Sequence, residues 1–159
     1  MKLNKDYLRK IFALAIEEDI GDGDHSSLAC ISGSKQGSSK LLIKEDGIIA
    51  GIEMACMVFG MIDPDLQTEV YINDGSKVEK GDVAFRVHGK VRAILQSERL
   101  ILNVMQRMSG IATQTHKFAD KIKDLPVKIL DTRKTTPGLR ILEKKAVELG
   151  GGYNHRMGL

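Results

Sequence analysis

The chain has 159 residues, room for one domain or for one domain and part of another, and its 42% hydrophobic and 28% charged residues are ordinary for a globular protein. Three Tyr, four Phe and no Trp leave few rings on which bases could stack, which argues against single-stranded nucleic-acid binding. A net charge of +3 is too small for a duplex-binding patch, and no segment approaches the roughly 18 apolar residues that a membrane span requires.

Residues 5–19 place Leu8, Ile11, Phe12, Ala15 and Ile16 at helical spacing between Asn4, a good N-cap, and Gly21, a terminator. The segment "EEDIGDGDHSS" reads as a capped, solvated loop. Its Asp19, Asp22, Asp24 and His25 lack the spacing of a calcium loop. "KLLIKEDGIIA", residues 40–50, predicts two strands about an Asp-Gly turn, and the apolar stretch 53–62 predicts a helix closed by Pro64. From Thr68 to Leu95 polar and apolar residues alternate between Gly-containing turns, a run of short antiparallel strands. Cys30 and Cys56 stand apart with no metal-ligand spacing, as small buried thiols in a reducing cytoplasm would. "IFALAI" is short and runs into "EED", unlike a signal peptide.

"LQSERLILNVMQRM", residues 95–108, is helical and strongly apolar, with Arg99, Asn103, Gln106 and Arg107 on a narrow polar stripe. A cation on so apolar a helix must be paired or must reach a polar cavity. A second helix is predicted over 111–123, ended by Pro126. The pattern then changes to a strand at 127–130, the loop "DTRKTTPG", a helix over 139–149 and three glycines. Strand, loop and helix in this order open a β/α repeat. The predicted fold is therefore an α+β open sandwich domain over 1–112, followed by the first part of a β/α barrel over 113–159.

The positive charge sits in this second part. From Asp131 to Leu159 six Lys or Arg face three carboxylates, so this tail carries the whole net +3. In β/α barrels the functional residues occupy the loops after the strands, which is where Arg133 and Lys134 fall, among the hydroxyls of Thr132, Thr135 and Thr136. Arg offers a planar fork to a carboxylate or phosphate and Lys a compact charge to phosphate oxygens. One helix later, past glycines that permit close approach, His155 and Arg156 supply a second cationic pair. Taken from the residues alone, the site binds a small polyanion.

Four motifs, "EEDIGDGDHSS", "DGSKVEKGD", "SERLILNVMQRMSGIAT" and "DTRKTTPGLRILEKKAVELGGGYNHR", follow one another in the order and spacing of the quinolinate phosphoribosyltransferases, and the chain resembles that family over essentially its whole length. The resemblance implies transfer of phosphoribosyl from phosphoribosyl pyrophosphate to quinolinate with decarboxylation, an enzyme of NAD biosynthesis working with Mg²⁺ in homodimers or higher oligomers. Carried over position by position, Arg133, His155 and Arg156 match residues that grip the quinolinate carboxylates, and Lys134 matches one that meets the phosphoribosyl substrate. Thr132 lies in the same binding segment, Arg133 and Lys134 are the catalytic candidates, and Arg99 matches an arginine lent across the dimer interface. The family continues past "NHRMGL" with further barrel strands, a lysine for quinolinate and acidic residues for ribose and metal. The 159-residue chain is therefore expected not to turn over alone. A non-catalytic, dimerising fragment of the family is the first alternative. A biotinyl or lipoyl-like carrier built on "INDGSKVEKGDVAF" is the second, although neither Lys77 nor Lys80 is placed as a carrier lysine.

Overall fold

The structure, a computed structural model, describes residues 4–158. Ten elements follow in order: α1 (Lys5–Ile20), α2 (His25–Cys30), β1 (Gln36–Leu42), β2 (Gly47–Ile48), α3 (Ile52–Ile62), β3 (Gln67–Val70), β4 (Lys77–Val78), β5 (Val83–Lys90), α4 (Val91–Lys121) and α5 (Arg140–Leu149). The first helix forms as its sequence dictates. Asn4 accepts a hydrogen bond from the Tyr7 backbone N–H, Leu8 and Phe12 turn inward, and Gly21 ends it at φ 55°. The acidic loop after it is partly helical, because Asp24 caps α2 by accepting from Ser27 N at 3.0 Å. Cys30, at the end of α2, is exposed, and Cys56 is only half-buried, so neither is the fully buried thiol that was expected.

Central strand β5 is flanked by β1 and β3, both antiparallel to it, and its Ala84, Phe85 and Val87 point into the core. The Asp-Gly turn at Asp46–Gly47 does not close a hairpin. β2 pairs instead with β4, in a separate two-stranded ladder. The reason is local: Ile43 N donates to Asp82 O, Gly81 N to Ile43 O and Lys80 N to the Asp46 carboxylate, so residues 43–46 are engaged by the turn at 79–82. Asp74 caps α3 from a distance, accepting from the backbone N–H groups of Gly51, Ile52 and Glu53 at 2.6–3.0 Å.

One helix, α4, replaces the two predicted over 95–123. It runs 31 residues through Gly110, where a side chain would meet open space and nothing forces a break. Of the residues it buries, Ile94, Ser97, Ile101, Met105, Met108, Ala112 and Thr115 recur every three or four positions and form one seam, with Ala93 beside its start. The helix is thus amphipathic, with Leu95 and Phe118 on its open side. Its hydroxyls also complete the small ladder: Thr113 Oγ1 accepts from Ile48 N and Ser109 Oγ from Ala50 N, both at 2.9 Å. The boundary expected at 112/113 falls inside this helix. No helix among the described residues is long and apolar enough to cross a membrane.

The predicted strand at 127–130 is reduced to one parallel bridge, Leu130 to Tyr153, held by Tyr153 N donating to Ile129 O and Asp131 N to Tyr153 O. A strand needs a ladder on at least one side, and here a single residue supplies it, leaving Val127 and Leu130 more than half exposed. The triple glycine serves helix packing. A Cβ on Gly150 would stand 2.8 Å from Thr115 Cβ and one on Gly152 2.9 Å from Thr115 Cγ2, so only hydrogen lets the end of α5 close on the small residues of α4. The close approach allowed by these glycines is thus of helix to helix.

Candidate functional site

The loop 131–138 leaves the bridge at Leu130 and ends in a turn. Leu139 N donates to Thr136 O at 3.0 Å, with Pro137 and then Gly138, φ 81°, at the turn's centre. Proline at the second position and a left-handed glycine at the third are what a type II turn demands. The oxygens of the three threonine hydroxyls accept hydrogen bonds from the loop and from the helices on either side of it. Thr132 Oγ1 accepts from Lys134 N at 3.1 Å, Thr135 Oγ1 accepts from Arg140 Nε at 3.1 Å, and Thr136 Oγ1 accepts from Arg107 Nη2 at 2.5 Å. They fix the backbone that carries the cations.

Asp131 joins the two cationic segments. Its Oδ1 accepts from Lys144 Nζ at 2.5 Å and from His155 N at 2.8 Å. With its amide nitrogen turned toward them, Asn154 donates to Asp131 Oδ2 at 2.5 Å and to Lys144 O at 2.9 Å. Arg140 adds a further tie, donating to Met157 O at 3.1 Å. One carboxylate thus holds the start of the Arg133–Lys134 loop against the start of the His155–Arg156 segment. Arg133 is half-buried, while Lys134, His155 and Arg156 are exposed. Among the described residues no ion pair or side-chain hydrogen bond engages the side chains of Arg133, Lys134, His155 or Arg156. Three permanent cations and an imidazole therefore stand along two tethered segments with no internal anion to neutralise them, an arrangement suited to a ligand with more than one anionic group.

The other end of the loop is held by Glu143. It accepts from Arg107 Nε at 2.8 Å and from Thr136 N at 3.2 Å, with a further short contact from Arg107 Nη2. Burial pushes the Glu143 carboxyl up, but the hydrogen bonds from Arg107 and Thr136 outweigh it and hold it below the usual glutamate range. Arg99 lies elsewhere. Its side chain is 76% exposed on α4, with Asp19 of α1 as partner at 3.5 Å. The structure does not bring it to the loop within one chain, and it is not forced inward as an arginine on an all-round apolar helix would be. Sequence reasoning missed Asp131, Glu143, Lys144 and Asn154 and left Arg107 open. The signal for Lys144 was present: it lies three residues after Ile141 on the buried stripe of a short helix, where a cation needs a partner.

The arrangement defines a class first: an open α/β sandwich leading through one long helix into the opening unit of a β/α barrel, with a cationic loop where the first barrel strand ends. A model described as the N-terminal domain of quinolinate phosphoribosyl transferase matches residues 24–109, and one described as its C-terminal domain matches residues 111–159. The chain belongs to the quinolinate phosphoribosyltransferase family. It is 51% identical over 153 residues to quinolinate phosphoribosyltransferase [decarboxylating] 1b of Nicotiana tabacum, covering 96% of this chain and 43% of the relative. It is 43% identical over 157 residues to the probable nicotinate-nucleotide pyrophosphorylase [carboxylating] of Bacillus subtilis, covering 99% and 54%. The crystal structure of NadC from Streptococcus pyogenes superposes with a TM-score of 0.95 at 36% identity, over 99% of this chain and 56% of that one. The chain thus spans about half the length of the curated relatives it matches. "INDGSKVEKGDVAF", read alternatively as a carrier hairpin, falls within the matched N-terminal domain and forms β4 and the start of β5.

Proposed function

We propose that this chain supplies the dicarboxylate-gripping and phosphate-gripping part of a site that transfers phosphoribosyl from phosphoribosyl pyrophosphate to quinolinate. The products are nicotinate mononucleotide, pyrophosphate and CO₂. The observation that carries the reading is the Asp131 tether, which ties the start of the Arg133–Lys134 loop to the His155 backbone, while among the described residues no ion pair or side-chain hydrogen bond engages the four cationic side chains. Arg133, His155 and Arg156 take the two carboxylates, and Lys134 takes the phosphoribosyl substrate near Thr132. The ring nitrogen of quinolinate attacks the sugar carbon as pyrophosphate departs, and cations stabilise the charge gathering on the leaving group. The nitrogen is then positive, so the adjacent carboxylate leaves as CO₂, its bonding pair stays on the ring carbon, and a proton replaces it. Orienting both carboxylates is chiefly a contribution to positioning.

The family implies Mg²⁺. Among the described residues no group of three or more His, Cys, Asp or Glu could hold a metal ion, and Asp131, the carboxylate at the loop, is taken by Lys144 and His155 N. These residues do not form a protein site for the metal, which would arrive on the pyrophosphate oxygens of the substrate. Arg99, exposed and loosely paired, acts on the site of a second copy of the chain in a homodimer or larger oligomer. The division into 1–112 and 113–159 separates an interface-building part from a ligand-holding part, working in the cytoplasm. The test is isothermal titration of quinolinate into the protein and into Arg133→Ala, beside an assay for nicotinate mononucleotide. Binding weakened by at least about tenfold in Arg133→Ala supports the reading, and unchanged binding overturns it.

A further inference from the structure

Two consecutive residues of α5, Glu143 and Lys144, carry opposite charges and are both buried, at 8% and 0% exposure. Side chains of this kind are almost never buried without a task. Each goes to a different end of the same loop. Lys144 reaches Asp131 at its start, where both side chains are withdrawn from solvent, 0% and 6% exposed. Glu143 reaches the Thr136 backbone at its end and recruits Arg107 from α4, which also holds the Thr136 hydroxyl. Between the two anchors lie Arg133 and Lys134, whose own side chains touch neither. We infer that Glu143 and Lys144 are positioning residues: a two-point pin on α5 that fixes the loop 131–136 and, through Asp131, the His155 segment, in the spacing a dicarboxylate ligand requires.

The inference rests on the quinolinate reading of the loop. Its physical content is that the ligand-gripping cations are held by charges that never meet the ligand. A loop with two such ends carries little freedom to lose on binding. Removing one anchor leaves a buried charge without its partner and frees one end of the loop.

The experiment is a double-mutant cycle on quinolinate affinity, measured by calorimetry on the folded protein. The set is wild type, Arg133→Ala, Lys144→Met and the combination, with circular dichroism to confirm folding. If Lys144 acts by placing Arg133, Lys144→Met weakens binding by about tenfold, and adding it to Arg133→Ala costs little more. Effects that simply add, or a Lys144→Met that folds and binds normally, overturn the pin. Should Lys144→Met not fold, Glu143→Gln reads the other anchor with volume kept. Weakening that is non-additive with Arg133→Ala supports the pin, and unchanged or additive binding overturns it. An Arg133→Ala that binds as wild type would instead sink the underlying reading of the loop, so the two failures are distinguishable.

Discussion

Lys144 Nζ lies 2.5 Å from Asp131 Oδ1, in a pair that solvent does not reach, across 13 residues of chain that include the whole cationic loop. Removing one member of such a pair strands the other charge in a medium that cannot solvate it, and the typical penalty is about 3–5 kcal/mol. Lys144→Met is therefore expected to lower the urea midpoint strongly. The double change Lys144→Met with Asp131→Asn should recover part of the loss, because the amide oxygen still accepts from His155 N but carries no charge. Urea titrations of the single and double variants check this. Equal midpoints for the two would show that stranded charge is not what the single variant suffers from.

Glycine at 150 and glycine at 110 make opposite predictions. A Cβ at Gly150 would lie 2.8 Å from Thr115 Cβ and would also collide with the Ala112 carbonyl oxygen, which belongs to helix backbone and cannot step aside. Gly150→Ala should destabilise by about 1–3 kcal/mol, the usual range for overpacking. At Gly110 nothing lies within 4 Å of the added carbon, and the residue sits inside α4. Gly110→Ala should stabilise by about 0.4–1 kcal/mol through the unfolded chain and helix propensity. Thermal melts of the two variants should move in opposite directions.

Gly110 also marks what the sequence could not say. A glycine between two apolar stretches reads as a break, yet a helix breaks only when something else claims the backbone, and here Ser109 and Thr113 on either side of Gly110 give their hydroxyls to Ala50 and Ile48 while the backbone stays helical. The turn at Asp46–Gly47 failed for the same kind of reason: the competing partner, the turn at 79–82, is remote in sequence. Helix α1, with its own cap at Asn4, and α3 and α5, whose apolar stripes lie within their own segments, were legible to within about two residues. For the site, cations at the end of a strand were legible from pattern, whereas the carboxylate that gathers them was not, since Asp131 reads like any loop aspartate until Lys144 is seen beneath it. The rule that a cation on an apolar stripe needs a partner was sound but was applied to Arg99; it describes Lys144.

Acid should weaken the fold through the carboxylates that its hydrogen bonds hold ionised. Glu143 titrates below the ordinary glutamate range in the folded protein despite the upward push of burial, because Arg107 and Thr136 donate to it. Asp63 is lowered too, by the backbone N–H of Asp65 and by Lys90. For groups whose folded value is depressed, the stability they contribute is fully present above the unfolded value and is lost as pH falls through the folded one. The protein should therefore hold its urea midpoint from neutral pH down to roughly pH 5 and lose stability below roughly pH 4, near and beneath the ordinary carboxylate values. Glu143→Gln should flatten that acid limb while lowering stability at neutral pH. An acid limb of unchanged steepness in Glu143→Gln would assign the loss to other carboxylates.

Arg99 offers the sharpest test of shared sites. Its side chain projects from α4 at 76% exposure, with Asp19 3.5 Å away, and it does not reach the loop of its own chain. If each site takes Arg133 from one copy and Arg99 from the other, Arg99→Ala and Arg133→Ala dimers should both have lost tight quinolinate binding. Mixed after dissociation and reassociation, half of the dimers are hybrids, and each hybrid carries one site with both arginines intact. About a quarter of all sites should then bind quinolinate tightly, as two-fold symmetry requires. Calorimetric stoichiometry on the mixture gives the count directly. If every site instead drew both arginines from one chain, each hybrid site would still lack one of them, and mixing would restore no tight sites.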